Sequence, residues 1–161
     1  MPNWCTNHVR VTHEDKSKID ALEQAVLRSI DPEDDYDGVL NHLLPNPAGE
    51  WDYGWSLENW GTKWDVRAYN WKRDADQTLV LEFDSAWDPP ITAYETLADQ
   101  GWSIYALYNE PAMGFVGSWE DGDAHDYVYD FSDPDWREVI PEDLIQYADL
   151  YDAYDDFWAL I

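Results

Sequence analysis

The chain has 161 residues, with 35 Asp and Glu against nine Lys and Arg, for a formal net charge of −26. That balance argues against direct binding of nucleic acid or an anionic membrane, which depends on Lys and Arg neutralising phosphates. Aromatics at 16% and hydrophobics at 45%, with eleven Trp and eleven Tyr, exclude the disordered acidic class and predict one domain with a real core.

Trp4 to Thr12 alternates as a first strand. Asp15 is positioned to cap a helix to about Ile30, with Ile19, Leu22, Val26 and Ile30 on one face. The acidic break Asp31 to Gly38 follows. The stretch from Val39 to Trp64 is interrupted by Pro45, Pro47, Gly49, Gly54 and Gly61, and reads as irregular. Its indoles, Trp51, Trp55, Trp60 and Trp64, are expected to be packed. A hairpin pairs Asp65–Trp71 with Thr78–Ser85 across Arg73-Asp74-Ala75-Asp76, burying Leu79, Leu81 and Phe83.

Asp88-Pro89 reads as N-cap and first residue of a second helix, with Ile91, Tyr94 and Leu97 inward and Gly101 as its stop. Trp102–Asn109 and Met113–Trp119 read as two further strands. The order β-α-β-β-α-β-β predicts an α+β sandwich with two helices on one face of an antiparallel sheet. After Gly122 an acidic, Tyr-rich connector (121–135) leads to a final helix from Pro141 to the C-terminus. In that helix Leu144, Tyr147, Leu150, Tyr151, Tyr154, Phe157, Trp158 and Ile161 fall within an arc of about 140°. Asp149, Asp152 and Asp156 form a carboxylate ridge opposite.

Several stretches in order carry a resemblance. They are Met1-Pro-Asn-Trp-Cys-Thr-Asn7, Glu58-Asn-Trp-Gly-Thr-Lys-Trp-Asp65, Ser85-Ala-Trp-Asp-Pro-Pro90, Tyr108-Asn-Glu110 and Met113-Gly-Phe-Val-Gly117. Together they resemble the YubB ferredoxin-like family of phages and conjugative plasmids, over about residues 1–122. The resemblance implies a ferredoxin-like sandwich, here with an irregular Trp-rich insertion at 31–64, and a home on a mobile element in a bacterial cytoplasm. It implies no activity. Residues 123–161, an acidic connector and C-terminal helix packed on the same domain, are additional to it. The motif residues read as serving the fold, with Gly61 and Asn59 in a tight turn and Lys63 paired to Asp65.

No enzyme is expected. His8, His13, His42 and His125 sit in no nucleophile or metalloprotease motif, and no Gly-rich phosphate loop is present. Cys5 is single, so no internal disulfide forms, and no Cys/His set has zinc spacing. Glu33-x-Asp35-x-Asp37-Gly38 matches the first half of a calcium loop, but position twelve falls on Leu44. Asp121 to Asp126 reads as a solvated turn, so neither metal nor cofactor is expected. Met1 is followed by no basic-then-apolar leader, and no apolar run approaches the ~20 residues of a membrane span.

The charge then points to a partner. Duplex DNA presents one negative charge per ~1.7 Å of axis, and a folded surface with carboxylates one helical turn apart approaches that density. The expected function is an acidic DNA-mimic inhibitor that occludes a basic, nucleic-acid-binding host protein, of the anti-restriction or anti-CRISPR kind. Its contact residues are expected in one patch of Asp133, Asp135, Asp149, Asp152, Asp155 and Asp156, and in a second of Asp34, Asp35 and Asp37. Two alternatives stand beside it. One is a binding or assembly protein, even a homodimer, that uses the aromatic face of the last helix. The other is adaptation to molar salt, suggested by 24 Asp against 11 Glu and only four lysines.

Overall fold

Trp4–His13 forms strand β1 because its alternate residues can be buried: Cys5, Val9 and Val11 lie along one face, in step with Asn7 and His13. The computed structural model describes residues 3–35 and 38–160. In it β1 is central to a six-stranded sheet, antiparallel at every pairing, in the order β2 (Ala68–Ala75), β3 (Thr78–Ala86), β1, β4 (Trp102–Glu110), β5 (Phe115–Glu120), β6 (Asp123–Val128). The architecture is a mixed α+β one.

Two connections pass over the sheet and skip a strand position. From β1 to β2 the chain runs through α1 (Lys16–Ile30), α2 (Val39–Leu43) and α3 (Tyr53–Asn59). From β3 to β4 it runs through α4 (Ile91–Asp99). Helix α1 begins where Asp15 accepts the Ser17 N–H at 2.9 Å, and it buries Ile19, Leu22, Ala25 and Val26. Ile19, Leu22 and Val26 share one core with Ala93, Tyr94 and Leu97 of α4 and with Leu79, Leu81, Phe83, Ile104 and Ala106 of the sheet. Each such aliphatic side chain contributes about 1.5–3 kcal/mol when fully buried.

The opposite face carries a second core. Leu107 and Val116 alternate with the residues that face α1 and α4, and they pack against Tyr129, Trp136, Ile140, Leu144, Ile145 and Leu150. The C-terminal segment therefore covers the β4–β5–β6 half of the sheet from the side away from α1. Helix α5 (Glu142–Tyr147) is tied down by Tyr147, whose hydroxyl lies 3.3 Å from the carbonyl oxygens of both Thr6 and Leu107.

Several expectations are corrected. The stretch 31–64 is not wholly irregular, since α2 and α3 form within it. Asp65 makes α2 possible from 25 residues away, its carboxylate accepting the Leu40 and Asn41 N–H groups at 2.8 and 3.0 Å. Gly38 is required there, because a Cβ would stand 2.5 Å from the Asp65 Cγ. Lys63 accordingly makes no pair with Asp65, and its ammonium sits over the Trp64 ring at 4.3 Å. Of the four indoles in this stretch, Trp60 is buried and Trp55 half-buried, while Trp51 and Trp64 stay exposed.

The hairpin strands run further than expected, with β2 reaching Ala75 and the turn falling at Asp76-Gln77. Helix α4 starts at Ile91 with Pro90 as its cap, so Asp88 does not cap it. The connector at 121–135 contains β6, an edge strand. The last helix is two helices, α5 and α6 (Leu150–Ala159), broken where Asp149 adopts φ +51°. Asp enters the left-handed region more readily than most residues. The break lets Leu144, Ile145 and Leu150 all be buried.

Candidate functional site

The carboxylates are unevenly answered. Eight of the nine Lys and Arg lie in the first 73 residues, with 13 acids. From Asp74 onward a single cation, Arg137, accompanies 22 acids. The fold turns this sequence bias into a spatial one. Arg73 holds Asp20 at 2.9 Å and Glu23 at 3.5 Å, Arg10 holds Asp74 at 2.6 Å, and Lys16 holds Asp20 at 3.0 Å. Lys72 adds to Asp74 at 3.5 Å, and His8 lies 3.3 Å from Glu82. All of these join α1, β1, β2 and β3. Among the described residues, no ion pair reaches β4, β5, β6, α5 or α6.

The first predicted patch is assembled in part by an aromatic cluster. Trp136 packs on Tyr151 at 5.9 Å and on Tyr154 at 5.6 Å, which sets the turn bearing Asp133 and Asp135 beside α6. Asp133 accepts the Asp135 N–H at 2.9 Å, shaping that turn. Asp152, Asp155 and Asp156 are exposed on α6, with Asp152 and Asp156 one turn apart. Asp149, also exposed, sits at the break between the helices. The second patch is weaker. Asp34 is engaged by Arg28 through contacts of 3.0 and 3.3 Å, Asp35 is exposed, and Asp37 lies outside the described residues.

A further group of acids was not singled out in the sequence. Asp88 and Asp126 line a cavity of about 480 Å3 whose other walls include Ile91, Phe115 and Tyr108. The Tyr108 hydroxyl donates to Asp126. Gly117 makes room for this contact, since a Cβ there would come within 2.7 Å of both Tyr108 Cε2 and Asp126 Oδ1. Glu110, fully buried, accepts the N–H groups of Ala112 and Met113 at 2.9 and 2.7 Å. Burial, followed by the nearby Glu110 and Asp126 charges, raises the Asp88 carboxyl above its ordinary value. These residues are scattered through the β3–α4 connection, β4 and β6, so no local motif announces them.

Cys5 is fully buried, and burial pushes its thiol far above the range in which a thiolate forms. Among the described residues, no three His, Cys, Asp or Glu side chains are grouped to hold a metal ion. None of the described helices is long and apolar enough to cross a membrane.

No family model matches the chain, and no curated protein matches it. Among solved structures, it is similar to the crystal structure of a protein api92 from Yersinia pseudotuberculosis, with the family model DUF1281. The identity is 12% and the TM-score 0.47, over 81% of this chain and 99% of that one.

Proposed function

We propose that the chain is a ferredoxin-like sandwich from a phage or mobile element and acts, without catalysis, as an acidic DNA mimic. Its target would be a basic, nucleic-acid-binding host protein in the bacterial cytoplasm. The strand order β2-β3-β1-β4 with two crossing connections supports the fold reading. The observation that carries the functional reading is the segregation of charge: 22 acids and one Arg lie beyond residue 73, and among the described residues only Asp74 and Glu82 of those acids are in an ion pair. Fixed carboxylates on packed helices need little ordering on binding. They steer a basic groove toward the surface and then pair with the Arg and Lys that otherwise grip phosphates.

The test is capture from a bacterial lysate by the immobilised chain, with and without competing duplex DNA. A DNA-binding protein is retained and then displaced by DNA. Replacing Asp149, Asp152, Asp155 and Asp156 together by Lys lowers affinity and association rate by about 100-fold, whereas each single change does almost nothing. Equal losses from Glu58→Lys with Glu95→Lys, far from the patch, refute the assignment.

One observation favours a second reading. Phe157 and Trp158 of α6 are 37% and 47% exposed, a surface that would suit an aromatic interface with a partner or a second copy. Salt separates the two: a mimic's complex weakens steeply as ionic strength rises, and an aromatic interface barely responds.

A further inference from the structure

Strand β6 ends the sheet, and among the described residues no strand pairs with its outer side. The Tyr129 N–H donates to the Gly114 carbonyl at 2.8 Å, so the alternate residues Tyr127 and His125 also turn their backbone groups toward β5. The N–H and C=O groups of Ala124, Asp126 and Val128 therefore face outward. The register sets these same three residues opposite Trp119, Gly117 and Phe115, on the sheet face where Tyr94 of α4 packs against Trp119. Their side chains form one wall of the cavity of about 480 Å3. Free backbone and a formed groove thus open at the same place.

The far wall is the start of α4 and the residues before it, Asp88, Pro89, Ile91 and Thr92. Val128 is 74% exposed, and Phe115 and Ile91 are half-buried, which leaves apolar surface open between the exposed Asp88 and Asp126. The Tyr108 hydroxyl, donating to Asp126, keeps that carboxylate on the groove side. Among the described residues neither carboxylate is in an ion pair, and no Lys or Arg lines the cavity. Lys63, close in sequence to Gly61 of the wall, is turned onto the Trp64 ring. An apolar floor between two such carboxylates suits an aliphatic stem that ends in a cation.

We propose that β6 takes up an extended basic segment of a partner protein as an antiparallel added strand, with a lysine or arginine stem over Phe115 and its charged head between Asp88 and Asp126. Backbone pairing supplies affinity in this mode, and the alternate side chains supply selectivity. The residue opposite Asp126 sends its side chain into the groove, where an opposite charge is favoured and a carboxylate is repelled. The site is separate from the α6 carboxylates and does not depend on the DNA-mimic reading.

The experiment titrates the full 15N-labelled chain with the end-blocked peptide Thr-Val-Thr-Lys-Thr-Val-Thr. The amide signals of Ala124, Asp126 and Val128 shift saturably, and their exchange with solvent slows. Asp88→Asn with Asp126→Asn, both isosteric, keeps the fold and weakens binding by about tenfold. Asp152→Asn with Asp156→Asn on α6 changes it by less than about twofold. N-methylation of the peptide's valine nitrogens, which face β6 in this pairing, abolishes binding, and N-methylation of its central threonine nitrogens does not. The proposal is overturned if no β6 amide shifts at millimolar peptide, or if a peptide with glutamate in place of lysine binds as well. It is overturned equally if blocked lysine alone binds as tightly as the peptide. Sedimentation finds the free chain monomeric; dimers that exclude the peptide make a second copy the occupant and overturn it too.

Discussion

At the β2 end of the sheet, Asp20, Glu23 and Asp74 each have a cation within 3.5 Å. Toward the β6 end, Asp88, Glu110 and Asp126 have backbone N–H groups, the Tyr108 hydroxyl and one another. The difference appears in how readily the acids give up protons. Hydrogen bonds from Lys16 and Arg73 hold Asp20 below the usual aspartate range, and the Arg10 guanidinium does the same for Asp74. Asp88 is displaced upward by burial and its acidic neighbours. One end uses its carboxylates to hold the fold together, while the other carries them at a cost in self-repulsion.

The largest expected effect comes from separating the two ends. Trp136→Ala empties the aromatic cluster that seats the C-terminal segment and costs about 3–5 kcal/mol. Hydrogen exchange then shows α5 and α6 losing protection while β1 and β3 keep theirs. Next is Glu110→Ala, which strands two N–H donors in the β4–β5 turn and costs about 2–4 kcal/mol in urea unfolding. Arg73→Ala takes the cation from Glu23 and leaves Asp20 with Lys16 alone, and lowers Tm by about 2 °C. Added salt shrinks that loss.

The smallest effect tests the sign. Because its native form holds a proton more tightly than the unfolded chain, Asp88 favours folding at low pH, and that contribution is lost as pH rises through its native pKa. Asp20 and Asp74 behave oppositely: their contribution is present above the ordinary aspartate value and is lost as pH falls through their lowered ones. Asp88→Asn therefore raises Tm by about 1–2 °C at pH 7 and changes nothing at pH 3. A thermal-shift series over pH measures both.

The paired, helix-covered half was readable from local signals. Asp15 before an apolar stripe marks the start of α1, and the alternation of Leu79, Leu81 and Phe83 marks β3. The rest depends on partners distant in sequence or on weak burial. Strand β6 buries almost nothing, only Tyr127 being half-buried, so it leaves no period-two trace. Helix α2 is capped by Asp65 from beyond α3, and the break at Asp149 has neither Gly nor Pro to announce it. The same is true of the candidate site. Clusters of Asp are visible in the chain, but Arg28 claims Asp34 across six residues, and only folding brings the 133–135 turn to α6.

Strand β6 ends the sheet, so one side of its backbone is an unfilled row of donors and acceptors, the kind of edge to which a second sheet can add. Exposed Asp123 opens that strand and exposed Asp130 follows it, while the Asp121 and Asp126 carboxylates turn toward Ile104 and Tyr108; such charges disfavour edge-to-edge pairing at neutral pH. The carboxylates thus also give the molecule self-avoidance. As the carboxylates take up protons in mild acid, that protection of the edge weakens.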